Sequence, residues 1–86
     1  MKRLKIFIKQ NCPDCAKVRP LIDGLAGREI YIQEYDVETY EGRAEAMFYD
    51  IMHTPLLMLT DGQGNELYSW RSTVPSVDDI IGFIGN

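Results

Sequence analysis

The chain has 86 residues, of which 45% are hydrophobic, and it carries a formal net charge of −4. This length suits a single domain over residues 1–86, and the composition is that of a globular protein rather than a disordered one. The basic residues are scattered, and no stretch approaches the roughly 20 apolar residues of a membrane span, so we expect neither nucleic acid nor membrane as a partner. Lys5 and Lys9 interrupt the apolar N-terminal run, which therefore does not predict a signal peptide.

The first half of the sequence predicts two strands and two helices in alternation. Residues 3–8 form an apolar run typical of a buried strand, and apolar residues then recur at helical spacing from Pro13 to about Ala26. Residues 29–37 are β-branched and aromatic, which favours a second strand. Thr39 is suited to cap a second helix, and the apolar stripe expected to face the core consists of Ala44, Met47, Phe48 and Ile51.

The second half predicts a hairpin followed by a helix. Residues 56–59 form a short apolar run, and a glycine-rich turn at 61–65 leads into the alternating segment 66–71. Ser76 and Asp79 form a capping-box pattern that opens a last helix. The order is therefore βαβα followed by ββα, an α/β fold. The first two strands are expected to be parallel and the hairpin antiparallel, giving a four-stranded mixed sheet flanked by three helices.

The two cysteines of the chain, Cys12 and Cys15, lie between the first strand and the first helix. Pro13 suits the first helical position, which makes Cys12 the cap residue, and the positive end of the helix then favours its thiolate form. Cys15 is three positions on, close enough to attack a mixed disulfide formed at Cys12. The pattern predicts thiol–disulfide exchange, with Cys12 as attacking sulfur and Cys15 as resolving sulfur.

The sequence is also compatible with other uses of the same cysteine pair. Two inert buried cysteines would satisfy the pattern, and so would a metal site, although zinc takes four ligands and the sequence adds only the distant His53. The pair could also belong to a carrier of an iron–sulfur cluster or copper, shared between two chains. A redox-sensing module, whose disulfide changes partner binding, is a further alternative.

Lys9 three positions before Cys12, the Cys12–Cys15 motif and Thr54-Pro55 before a buried strand resemble the glutaredoxin/thioredoxin family, over nearly the whole chain. The resemblance implies a thioredoxin-like fold and an oxidoreductase that acts in electron transport and cell redox homeostasis in the cytoplasm. It further implies that Pro55 follows a cis peptide and packs opposite the cysteine pair, and that the backbone of Thr54 holds the substrate across Cys12. The expected partners are disulfide-containing proteins. No bound cofactor is expected, the reductant would be glutathione or a flavin-dependent enzyme of the thioredoxin-reductase type, and the chain would be a monomer.

Three residues beside Cys12 complete the set of candidate substrate-binding residues with Thr54 and Pro55: these are Lys9, Pro13 and Asp14. Lys9 could pair with the Cys12 thiolate or with a glutathione carboxylate, or it could be a solvated strand end. Asp14 stands where glutaredoxins usually have an aromatic residue. An acid is favoured at a helix N-terminus, but its charge opposes a nearby thiolate. His53 is expected at the rim of the site, as a proton carrier or as an ordinary solvated loop histidine.

Overall fold

The computed structural model describes residues 1–71 and 73–84. They form four strands, a short 3-10 helix and three α-helices in this order: β1 (Lys2–Ile8), the 3-10 helix (Pro13–Lys17), α1 (Val18–Gly24), β2 (Ile30–Asp36), α2 (Tyr40–Phe48), β3 (Leu56–Thr60), β4 (Glu66–Arg71) and α3 (Val77–Ile84). No helix within these residues is long and apolar enough to cross a membrane.

The four strands form one mixed sheet in the order β2-β1-β3-β4. β1 and β2 are parallel, whereas β1–β3 and β3–β4 are antiparallel. The predicted fold class, a four-stranded mixed sheet with three helices, is therefore confirmed. In the antiparallel register Phe7 of β1 pairs with Leu56 of β3, so the end of β1 and the beginning of β3 lie at the same edge of the sheet.

The sheet separates two hydrophobic clusters, because side chains alternate between its faces. Leu4 and Ile6 of β1 pack with residues of α1 and α3 on one face. Phe7 packs with Ala46 of α2 on the other face. Both faces are thus covered, as expected for a sheet whose parallel pair is joined by a helical crossover.

The predicted first helix is interrupted in the structure. Instead of one helix from Pro13 to about Ala26, the chain forms the 3-10 helix Pro13–Lys17 and then α1 from Val18 to Gly24. Pro20 has no backbone N–H to donate to the carbonyl of Ala16, so an α-helical bond is missing where the two segments join. The predicted start is nevertheless confirmed, since Cys12 occupies the N-cap with extended backbone and Pro13 follows it.

The predicted buried stripe of α2 is wrong for three of its four residues, whereas the fourth, Ile51, is half-buried and packs against the cluster of Phe7 and Ala46 as predicted. Ala44, Met47 and Phe48 are exposed, while Gly42 and Ala46 are the buried residues of this helix. Thr39 does cap α2, as predicted: its hydroxyl accepts a hydrogen bond from the Gly42 N–H at 3.0 Å and donates one to the Asp36 carbonyl at 2.7 Å. The helix is therefore held against the end of β2 through its small residues, which turns its large apolar side chains outward.

A buried lysine lies beneath α2. Lys5 of β1 is 4% exposed, and its ammonium group donates to the carboxylate of Glu45 at 2.5 Å. The ammonium also lies 5.3 Å and 5.4 Å from the ring centroids of Tyr35 and Tyr49. Burial acts to lower the pKa of Lys5, but the hydrogen bond to Glu45 and the charges of Tyr35 and Glu45 outweigh it. The net result is a pKa above the ordinary value of 10.5.

This raised pKa predicts a loss of stability at high pH. The folded chain binds the Lys5 proton more tightly than the unfolded chain does, so the stabilisation is complete below pH 10.5 and is lost as the pH rises through the folded pKa. Urea unfolding between pH 8 and pH 12 should show a steeper decline for the wild type than for Lys5→Met. Lys17→Met, which changes an exposed lysine, serves as control and should follow the wild type. Parallel curves for wild type and Lys5→Met would contradict the prediction.

Candidate redox site

The cysteine pair stands at the sheet edge where β1 ends. The chain leaves β1 at Ile8 and turns at Asn11, whose φ of 61° lies in the left-handed region that asparagine tolerates better than most residues. It then enters the 3-10 helix through Cys12. Cys12 and Cys15 are joined by a disulfide with their Cα atoms 5.3 Å apart, and the Cys15 N–H donates to the Cys12 carbonyl at 3.1 Å. The first helical turn thus holds both sulfur atoms together, and both residues are half-buried.

A second loop meets this pair because of the sheet register. β3 begins next to the end of β1, so the residues just before Leu56 arrive beside Cys12. The Thr54 hydroxyl lies 4.0 Å from the Cys12 sulfur. The Thr54–Pro55 peptide is cis, and Pro55 is buried. Residues 42 positions apart in sequence are thereby brought together, and of the two sulfur atoms it is that of Cys12 that Thr54 contacts.

A cleft of about 200 Å³ lies beside Thr54, and neither cysteine is among the residues that line it. Its walls combine two groups that can carry positive charge with apolar side chains, and they are formed by Lys9, Val37, Ile51, Met52, His53 and Thr54. Lys9 and Thr54 are therefore brought together as candidate binding residues, and His53 lies at the rim. Sequence reasoning missed Val37, Ile51 and Met52. Their only signal is position, since they flank the ends of β2 and the Thr54-Pro55 loop.

Pro13 and Asp14 occupy the exposed start of the 3-10 helix. The Asp14 carboxylate pairs with the Lys17 ammonium at 3.3 Å, one helical turn on. Both side chains are exposed, so the pair contributes about 0–1 kcal/mol to stability. Asp14 and Lys17 instead place opposite charges on the exposed surface of the 3-10 helix that Cys12 caps.

The Thr54 hydroxyl is positioned to donate to the sulfur of reduced Cys12. We expect Thr54→Val to slow alkylation of Cys12 at pH 7 about three- to tenfold, because it removes a donor that favours the thiolate. Iodoacetamide labelling of the reduced protein across a pH series measures this, and the midpoint should move to higher pH. Thr54→Ser keeps the hydroxyl and should behave like the wild type. Equal labelling of Thr54→Val and Thr54→Ser would show that the hydroxyl has no such role.

Comparison with known proteins shows the fold of the chain. No protein-family model matches the sequence, and no curated protein matches it. Among solved structures, thioredoxin-2 of a malaria parasite, described as a component of the parasite's protein secretion machinery, aligns with a TM-score of 0.81 at 21% identity, covering 99% of this chain and 82% of its own. Another malarial protein aligns with a TM-score of 0.81 at 20% identity, covering 99% and 94%. A variant thioredoxin from Halobacterium salinarum aligns with a TM-score of 0.79 at 23% identity, covering 96% and 71%. The chain has a thioredoxin-like fold.

Within residues 1–71 and 73–84, no three His, Cys, Asp or Glu side chains converge in a group that could hold a metal ion. The chemistry available at the site is that of two neighbouring sulfur atoms, a threonine hydroxyl and a cleft that contains Lys9 and His53. The arrangement can form and break a disulfide.

Proposed function

We propose that the chain is a thiol–disulfide oxidoreductase of the glutaredoxin/thioredoxin family, which reduces disulfides through Cys12 and Cys15. One observation carries the proposal. The two cysteines are joined at the start of a helix, and the Thr54-Pro55 loop contacts the first of them. The thioredoxin-like fold of the chain supports it as well.

The reaction begins from the reduced pair. The Cys12 thiolate attacks one sulfur of a substrate disulfide, forming a Cys12–substrate disulfide and releasing the other substrate sulfur as a thiolate, which takes up a proton. Cys15 then loses its proton and attacks the Cys12 sulfur. This forms the Cys12–Cys15 disulfide and releases the second substrate thiol. Two electrons have then moved from the protein to the substrate, one of the two protons has come from Cys15 and the other from solvent, and an external reductant resets the pair.

Each candidate residue has a part in this scheme. Pro13 and the helical turn keep Cys15 within reach of Cys12. Thr54 and Pro55 supply the backbone edge against which the substrate segment lies across Cys12, and Asp14 flanks its path. Lys9, in the cleft next to Thr54, meets an anionic group of the substrate or of glutathione. No bound cofactor takes part, and the chain acts as a monomer in the cytoplasm.

The reductant distinguishes the two branches of the family. Sustained reduction of a disulfide should be supported either by glutathione with glutathione reductase or by NADPH with thioredoxin reductase. The first result would assign the chain to the glutaredoxin branch and the second to the thioredoxin branch. Turnover with neither couple, together with visible absorbance and bound metal in freshly purified protein, would favour a cluster or copper carrier instead. The proposal would be refuted if the reduced wild-type protein failed to exchange even one equivalent of disulfide.

A further inference from the structure

We propose that the outer face of α2 is a docking surface for a disulfide-bearing protein substrate, which binds it through an apolar segment flanked by basic residues. This inference rests on the proposed exchange at Cys12 and names the class of substrate that the site takes. The docking surface, called the α2 face below, consists of Tyr40, Ala44, Met47 and Phe48.

The α2 face is apolar and open to solvent. Tyr40 is 89% exposed, Met47 74% and Phe48 78%, and Ala44 between them is also exposed. Residues three, four, seven and eight positions apart share one side of a helix, so these four form a continuous stripe. The opposite side of α2 already covers the sheet through its small residues. The stripe therefore makes no contribution to the core, and large apolar stripes of this kind mark interaction sites.

The α2 face adjoins the cleft that Thr54 lines, because residues of the cleft flank both ends of α2. Helix α2 begins three residues after Val37 and ends three residues before Ile51, and both of these residues line the cleft. Met52, which is 75% exposed, extends the apolar surface from Ile51 toward Thr54. A chain whose sulfur is bonded to Cys12 can pass Thr54 and the cleft, whose walls include Lys9 and His53 as well as apolar side chains, and reach α2.

The size of this surface favours a transient partner over a second copy of the chain. An aromatic side chain presents about 150–250 Å², so Tyr40, Met47, Phe48 and Met52 together offer on the order of 500–600 Å². A stable interface buries about 800 Å² on each partner, whereas redox partners that meet and separate lie at the low end of the range. The area thus fits a substrate that must leave after each exchange.

The charges around the α2 face favour basic flanks in the partner. Glu38, Glu41 and Asp50 are exposed near the two ends of the helix, against the single exposed cation Arg43 in the same part of the chain. The net charge of the whole chain is −4. Basic residues on either side of the apolar segment would therefore be attracted to the ends of α2 and would raise the rate of encounter. Lys9 in the cleft repels a basic residue next to the substrate cysteine, so the basic flanks belong beside α2 and not beside Cys12.

Four probes test this inference, each a mixed disulfide with the coloured thiol 5-thio-2-nitrobenzoate. One carries cysteine alone. The other three carry peptides in which a second segment follows the cysteine. This segment is apolar and flanked by lysines in the first peptide, apolar and flanked by glutamates in the second, and made of serine and glycine flanked by lysines in the third. Reduced protein is mixed with each probe in a stopped-flow instrument, and the released thiol gives the second-order rate constant. The variants are Met47→Ser with Phe48→Ser, Tyr40→Ser, and the control Leu67→Ser, an exposed apolar residue of β4.

The wild type and Leu67→Ser should react with the apolar, lysine-flanked peptide about tenfold faster than with the other two peptides, the selectivity expected from burying a few apolar groups. The double variant should lose this selectivity, and Tyr40→Ser, which leaves the Phe48–Tyr49 ring contact intact, should lose part of it. All four proteins should react equally with the cysteine probe.

Equal rates of the wild type with all three peptides would overturn the inference. A second result would also overturn it: a dimer detected by sedimentation that the double variant abolishes, together with equal rates for the three peptides. The α2 face would then bind a second copy of the chain. Failure of the wild type with the cysteine probe itself is a different result, because it refutes the proposed exchange rather than the docking surface.

Discussion

Replacement of Cys12 by serine is expected to lower the rate of disulfide exchange by at least about a thousandfold, because it removes the nucleophile that forms the first mixed disulfide. Cys15→Ser should behave differently. Its Cys12 can still attack, but no second sulfur releases the product, so a covalent adduct should accumulate in a one-to-one ratio. Incubation with oxidised glutathione followed by intact-protein mass spectrometry distinguishes the two variants.

The asymmetry follows from where the two sulfur atoms lie. The Thr54 hydroxyl is 4.0 Å from the Cys12 sulfur, at the loop against which a substrate is expected to lie. Cys15 follows one turn later in the same helix and is held to Cys12 by the hydrogen bond between its N–H and the Cys12 carbonyl. A Cys12→Ser protein that forms the glutathione adduct as fast as Cys15→Ser would reverse the assigned roles. Urea unfolding of both variants serves as the control for folding.

Local sequence signals predict the position of the cysteine pair. The N-cap position of Cys12 depends on Pro13 and on the strand that ends at Ile8, and all three lie within six residues of one another. The position of the Thr54-Pro55 loop has no such local signal. No local pattern puts Thr54 beside Cys12, since their proximity depends on the antiparallel register of β1 and β3, and it was expected from family resemblance alone.

The orientation of α2 could not be predicted from hydrophobic periodicity. The helix offers two candidate faces, and counting large apolar residues selects the one with Met47 and Phe48. The structure buries the face with Gly42 and Ala46, because the space between α2 and the end of β2 admits no larger side chain. Periodicity measures hydrophobicity but not this steric limit. It also gives no signal for the ion pair between buried Lys5 and half-buried Glu45.

The steric limit at α2 predicts a large effect of the smallest possible substitution. In Gly42→Ala the added methyl group would overlap the carbonyl oxygen of Asp36 and lie 2.5 Å from its carbonyl carbon. Both atoms are backbone atoms at the end of β2, which is anchored in the sheet, so α2 itself must move and its Thr39 cap must loosen. We expect the free energy of unfolding to fall by about 2–4 kcal/mol, near the upper end of the range for overpacking.

Gly82→Ala in α3 is the matched control, because a methyl group there meets no atom within 4 Å. Alanine is the better helix former by about 1 kcal/mol, so this variant should be as stable as the wild type or slightly more so. Urea unfolding of the oxidised proteins at pH 7 measures both values under the same redox state. A Gly42→Ala protein that gains stability as Gly82→Ala does would mean that α2 does not lie against the end of β2. The outward orientation of Met47 and Phe48, on which the docking surface depends, would then be wrong as well.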